Sequence, residues 1–465
     1  MTAGKPTVQI HAPLAAPVNR ARSTRARIVA ALAACLMLSG CGITDWFSGD
    51  DEDVEKLAGN RISVLQLEQR IEVDPGLAER QVALPAPVVN TAWAMPGGTP
   101  AHNMGHLALP PTLSKAWSAS IEGSSGTTRL LSSPIVVNGR VYVLDTDFEL
   151  HAFDESNGRR LWSKDMRREN IGDEEALGGG VSFGDGRLFV TTGFGEAIAV
   201  NPDNGDVIWR QRIAGPTRSA PTVAAGRVFV LATDNQLITL AADSRLLQWT
   251  HTGLLEPTTL LGGSAAAVEG DTVVVPYSSG ELFALRVENG RQNWQETLAA
   301  VRRGENLTGL ADIRGLPVVD NGQVFAISHS GRMAAVDLRT GQRVWEQDVG
   351  GQTTPAVVGE WIFVTTNDAQ VVALARDTGR IRWISQLDQF EDPGDREGPI
   401  SWSGPLVAGG RLLLASSHGQ MVELSPETGD RIKKTDLPDP VMVPPVIANN
   451  TLFILTEDGE LVAYR

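Results

Sequence analysis

From Pro134 to Trp162 apolar and polar positions alternate with a period of two in four short runs. These are Ile135-Val136-Val137, Val141 to Leu144, Leu150 to Phe153, and the stretch around Leu161 and Trp162. Asn138-Gly139 and Asn157-Gly158 interrupt the pattern, and such pairs favour the tight turns that join antiparallel strands. The pattern therefore predicts a sheet of four short strands. One such sheet cannot bury both of its faces, so it requires copies of itself alongside.

The copies follow. The terminal Trp returns at Trp209, Trp249, Trp294, Trp345 and Trp383, at intervals of 38 to 51 residues. A four-stranded propeller blade takes roughly 40 to 50 residues. The Gly-Arg-Val-Phe-Val type of second strand returns at Gly186 to Val190, Gly226 to Val230 and Gly322 to Phe325. A seventh copy runs from Pro405 to Gly429 and has Ile432 where the Trp would stand. The eighth begins at Pro445 and ends after its third strand, at Leu461 to Tyr464.

A last blade of three strands exposes a hydrogen-bonding edge unless another segment supplies the fourth. Ala116-Trp117-Ser118-Ala119, ahead of the first full blade, has the right pattern. The expected fold is thus all-β: an eight-bladed β-propeller of four-stranded antiparallel blades, closed by pairing of the N-terminal strand with the C-terminal blade. A seven-bladed ring is the main alternative, because the copy between Gly180 and Trp209 is weak.

Upstream the pattern changes. Residues 1–40 carry Lys5, Arg20, Arg22, Arg25 and Arg27 and no acid, followed by an apolar run from Ile28 to Leu38 that is short for a bilayer span. This reads as a secretory signal. Leu38-Ser39-Gly40-Cys41 resembles the bacterial lipoprotein box, which implies lipidation (palmitate) at Cys41 and a mature chain beginning there. The only other cysteine, Cys35, lies in the segment that would be removed, so no disulfide, thiolate metal site or Cys nucleophile is expected. Residues 41–53 form an acidic tether, and Gly42 after the Cys points to the outer membrane. Residues 54–111 read as an irregular extension wrapping the propeller, with Val64 to Glu68 as a short apolar hook, and 112–465 as the propeller.

Charge narrows the partners. The chain carries −15; removal of residues 1–40 leaves 35 basic against 55 acidic side chains, or −20. So acidic a body does not suit nucleic acid or an anionic bilayer, and contact with membrane is expected through the lipid alone. Candidate chemistry is sparse. Asp145-Thr146-Asp147-Phe148-Glu149 and Asn201 to Asp206 have carboxylates at metal-like spacing, but both fall where solvated turns are expected. His102 and His106 lack a third ligand, and His329 and His418 occupy equivalent turns of the repeat. No nucleophile elbow, phosphate loop or zinc signature is present.

The repeats Ala152-x-Asp154-x-x-Asn157-Gly158-x-x-x-Trp162 and Ala335-x-Asp337-x-x-Thr340-Gly341-x-x-x-Trp345 resemble those of the pyrroloquinoline-quinone-like propellers. In that superfamily Trp and Gly lock neighbouring blades, a duty needed once per blade. One function implied is a quinone-dependent dehydrogenase, which would need an axial cofactor, a Ca²⁺ held by Glu, Asn and Asp, and an Asp base. Together with the lipoprotein box, however, the chain more closely resembles the BamB family of outer-membrane assembly lipoproteins. That resemblance implies a non-enzymatic scaffold of the β-barrel assembly complex on the periplasmic face of the outer membrane. It would bind the POTRA domains of BamA and other lipoproteins of the complex, with nascent outer-membrane β-barrel proteins as further partners, and need no cofactor.

Family members bind BamA through loops entering two successive blades, apolar residues plus Arg in the first and acids in the second. Here the loops are Thr258 to Ser264 and Leu310 to Pro317, and the expected contact residues are Leu260, Leu261, Asp312, Ile313 and Arg314. Asp312 stands where a family acid is expected. Leu261 replaces the Arg and Arg314 the second acid, an inverted charge pattern. Leu260, Leu261 and Ile313 fall outside the repeat's buried positions, which leaves them to bind a partner or to pack between blades.

Overall fold

A computed structural model describes residues 71–168, 176–213, 215–217, 219–299 and 310–465. The signal segment, Cys41, the tether and the Val64 to Glu68 hook lie outside the described residues. The described chain contains eight four-stranded antiparallel sheets and one separate two-stranded hairpin. Blades 1 to 7 are continuous (residues 135–165, 179–212, 222–252, 267–297, 318–347, 356–386 and 402–436). The weak copy near Gly180 is a full blade, which removes the seven-bladed alternative.

Blade 8 has three strands from the C-terminus, and its outermost is Lys115–Ser120, paired antiparallel with Glu460–Tyr464. The ring therefore closes as the truncated last repeat requires. Each blade alternates inward, nearly solvent-free positions such as Val141, Val143, Val190, Val230 and Val274. Removing these apolar side chains from water is the main term holding the sheets together.

The repeated Trp does one job seven times. Its indole Nε1–H donates to a carbonyl in the next blade, just after that blade's third strand. Trp117 donates to Glu155, Trp162 to Pro202, Trp209 to Ala242, Trp249 to Val287, Trp294 to Leu338, Trp345 to Arg376 and Trp383 to Pro426. The indole ring then lies on the turn before the next blade's fourth strand. At Gly290, φ +69°, a Cβ would sit 2.5 Å from Trp249 Cε3, so a side chain there would displace the ring. Trp117, the staple of blade 8, comes from the N-terminal strand.

The missing Trp at Ile432 has a physical reason. Blade 8 takes its fourth strand from the other end of the chain, so where other blades have a turn it has the meeting of Ser114 and Arg465, joined by backbone hydrogen bonds. No turn exists there for a blade 7 indole to dock on, and Ile432 stands exposed on the fourth strand of blade 7.

Residues 71–111 do more than wrap the ring. The first part runs along blades 6 and 7: Asp74 N donates to Ile381 O, Arg380 pairs with Asp74, and Arg382 Nε donates to Arg80 O at 3.1 Å. Arg380 and Arg382 thus anchor this segment to blade 6. The chain then crosses the axis as a strap. Trp93 pairs both ways with Val136 of blade 1, Phe183 N of blade 2 donates to Ala94 O, and Val268 N of blade 4 donates to Pro100 O. Val319 N of blade 5 donates to Ala101 O, Leu107 exchanges bonds with Val407 and Gly409 of blade 7, and Asn449 N of blade 8 donates to Asn90 O. All these contacts lie at the ends of the innermost strands, so one extended segment joins six blades.

Candidate functional site

The loops between blades and the turns joining second to third strands share one face. On it the linker from blade 3 to blade 4 presents Leu254, Leu255 and Leu261 at 65%, 72% and 47% exposure. The sequence reading did not single out Leu254 and Leu255. Their signal is there, in two leucines between Gly253 and Pro257 where no strand needs them.

The two loops that the family resemblance singles out do meet. Asp312 Oδ2 accepts from Leu260 N at 3.0 Å, Arg314 Nε donates to Leu261 O at 2.8 Å, and Ser264 Oγ donates to Gly315 O at 3.0 Å. Bonds from charged side chains to backbone hold both loops in one arrangement. The residues within it play different parts. Leu261 is exposed and Leu260 half-buried, whereas Ile313 is fully buried among Val274, Leu282, Val319 and Val324. Ile313 therefore packs between blades 4 and 5 and does not lie outside the buried positions. Asp312 is buried too, and its carboxylate organises the first loop. Arg314 turns toward the axis; burial pushes its guanidinium below the usual range, while the Asp312 carboxylate pulls it back up.

Along the axis lies a cavity of about 540 Å³ whose floor is the strap, at Trp93, Met95 and Leu107. Because the strap covers the opposite end, the funnel opens on the face that carries the leucines. Glu457 is the only acid among the described residues lining it. A Ca²⁺ held by several oxygen donors beside a quinone needs a denser acid set, so the axial residues do not fit the cofactor of a quinone-dependent dehydrogenase.

The other sequence candidates fall to structural duties, with one difference. Asp145 is buried, not part of a solvated turn: its Oδ1 accepts from Asp147 N and Glu149 N, and its Oδ2 lies 2.7 Å from His151 Nε2. Glu149 Oε2 is 4.0 Å from the same nitrogen, so the three donor groups lie close together. Asn201 to Asp206 form the turn before the fourth strand of blade 2. His102 Nδ1 bonds Pro317 O at 2.9 Å, and His106 bonds Pro85 O and Gly410 N. The two imidazoles thus serve different blades and do not act as a ligand pair. His329 and His418 sit in turns of blades 5 and 7, bonded to Asn367 and Glu391. Among the described residues no helix is long and apolar enough to cross a membrane.

A Trp-stapled eight-bladed propeller with its axis strapped at one end and leucine-bearing loops at the other is a propeller of the pyrroloquinoline-quinone-like class. A family model described as "Outer membrane protein assembly factor BamB" matches residues 112–172, 146–385 and 390–465, and the chain belongs to that family. The assembly factor BamB of Yersinia pestis is 25% identical over 355 residues, 75% of this chain and 88% of that protein. The crystal structure of BamB from Moraxella catarrhalis superposes with a TM-score of 0.62 at 17% identity, over 76% of this chain and 98% of that one. Quinohemoprotein alcohol dehydrogenase from Comamonas testosteroni reaches the same TM-score at 13% identity, covering 80% of each chain, a likeness of fold alone. The strap precedes the matched region.

Proposed function

We propose that this chain is an outer-membrane protein assembly factor that acts as a non-catalytic scaffold within the β-barrel assembly machinery, binding the POTRA domains of BamA. The observation that carries this reading is the pair of cross-bonded loops: they hold Leu261, with Leu254 and Leu255 nearby in the chain, out of the core on a rigid frame. A few apolar anchors fixed in place and ringed by polar groups make an effective binding hot spot, and a preformed loop loses little conformational entropy on binding.

Leu261→Asp is expected to weaken binding of the BamA periplasmic region by about 2 kcal/mol or more, with unfolding unchanged because Leu261 is half exposed. Titration calorimetry with the purified periplasmic domain measures it, and unaltered affinity would remove this loop from the interface. Asp312→Arg is a poorer test. It breaks the bond to Leu260 N and buries a second guanidinium beside Arg314.

The same reading places the protein at the periplasmic face of the outer membrane, held by lipid on Cys41. Cys41→Ser is expected to move it from the membrane pellet to the soluble periplasmic fraction on cell fractionation; retention in the pellet would rule out the lipid as the sole anchor.

A further inference from the structure

The axial funnel has the features of a ligand site in its own right. Its volume, about 540 Å³, lies within the range of cavities that enclose small organic molecules. The deep part is apolar, with Trp93, Met95, Leu107, Leu130, Trp402 and Val443 along the floor and walls. Near the mouth stands Arg314, turned inward by its bond to Leu261 O. Among the described residues no carboxylate lies within ion-pair distance of it, and its other N–H donors have no protein partner. A guanidinium carries five such donors, and those of Arg314 that do not bind Leu261 O are partly open to the funnel, where an anion can reach them. On the same wall the Thr353 hydroxyl is buried without a hydrogen-bond partner.

The wall also excludes one occupant. Pro134, Pro355 and Pro444 line the cavity just before inner strands, and Pro405 lines it within the inner strand of blade 7. Proline has no N–H to offer an added strand, so an extended peptide finds few backbone donors here.

We propose that the axial funnel binds a monoanionic amphiphile, its carboxylate on Arg314 and its alkyl body against the strap. This goes beyond the scaffold role and stands or falls separately from it. The test uses the chain from residue 41 on, carrying Cys41→Ser so that no detergent is needed, titrated calorimetrically with sodium decanoate, decan-1-ol and decyltrimethylammonium. One decanoate should bind per chain, at least about tenfold more tightly than the alcohol, the preference expected of a charge-assisted pair. Arg314→Gln should abolish that preference and Arg314→Lys retain it, which separates loss of charge from disturbance of the loops. Ser133→Trp, which fills the cavity wall between blades 8 and 1, across the ring from Arg314, should weaken decanoate and decanol alike. Equal binding of decanoate and decanol, no saturable binding of decanoate, or a preference unchanged in Arg314→Gln would each overturn the proposal.

Discussion

Trp117→Ala should destabilise the propeller by about 3–5 kcal/mol, the cost typical of deleting a buried Trp side chain. Three consequences combine at this residue. Its indole leaves a void against Phe453, whose ring centroid is 5.9 Å away. The carbonyl of Glu155 loses the Nε1–H donor, and the Gly158 turn of blade 1 loses the surface on which it packs. The other staples join blades that are also covalently consecutive. Trp117 closes the ring between segments from opposite ends of the chain, so its loss weakens a contact that no linker restores. Urea denaturation followed by far-ultraviolet circular dichroism measures the loss. Trp345→Ala is the control: it removes an equivalent staple between consecutive blades 5 and 6. If Trp117→Ala costs under 1 kcal/mol, closure through Lys115–Ser120 is not what holds blade 8 to blade 1.

Between pH 7.5 and pH 4 the strap should lose about 3 kcal/mol through His102 alone. The imidazole is buried, and burial pushes its pKa from the ordinary 6.5 down to about 4. Pro317 O can only accept, so Nδ1 carries the proton and Nε2 is left bare, buried and without a partner. Protonating Nε2 would create a buried, unpaired cation. The unfolded chain binds the proton near pH 6.5 and the folded chain only near pH 4. The stability is therefore complete above pH 6.5 and is lost as pH falls toward 4. A difference of 2.5 pH units at about 1.4 kcal/mol each sets a ceiling of about 3.5 kcal/mol, of which about 3 is lost by pH 4, where the folded-state imidazole is half protonated. Carboxylates titrate in the same range, so the comparison is with His102→Asn; Asn tolerates the positive φ, 59°, found here. The stability gap between wild type and variant should shift by about 3 kcal/mol across this interval, and a constant gap would show that His102 titrates normally in the folded state.

Both expectations draw on parts of the chain that differ in how plainly they could be read. Eight blades, the closing strand at Ala116 to Ala119 and the Trp–Gly staples were legible because each is a local pattern repeated at a fixed interval. Such a pattern says that a residue packs even before its partner is known. That the loops at Thr258 to Ser264 and Leu310 to Pro317 lie between successive blades was also legible, from the family resemblance. Which of their side chains face solvent was not. Asp312, Ile313 and Arg314 are adjacent, yet one organises a loop, one fills the core between blades and one points to the axis.

The strap was legible only as an irregular, Pro- and Gly-containing stretch. Its hydrogen bonds go to strand ends up to 359 residues away, as from Asn90 to Asn449, and no period within residues 71–111 announces them. His151 beside Asp145 was missed for a related reason: the bond spans a turn, and only the register of the two strands brings the groups together.

The sequence alone thus determined the repeat, the number of blades and the manner of closure, since these depend on short-range alternation and turn chemistry, while the family followed from the resemblance of the repeat motifs and the lipoprotein box. Only the tertiary structure decided that the axis is floored by the N-terminal segment, that Arg314 looks inward and that Leu254, Leu255 and Leu261 look outward. Those facts depend on where distant segments meet around the ring, and side-chain direction in a loop follows from that meeting and not from the loop's own composition.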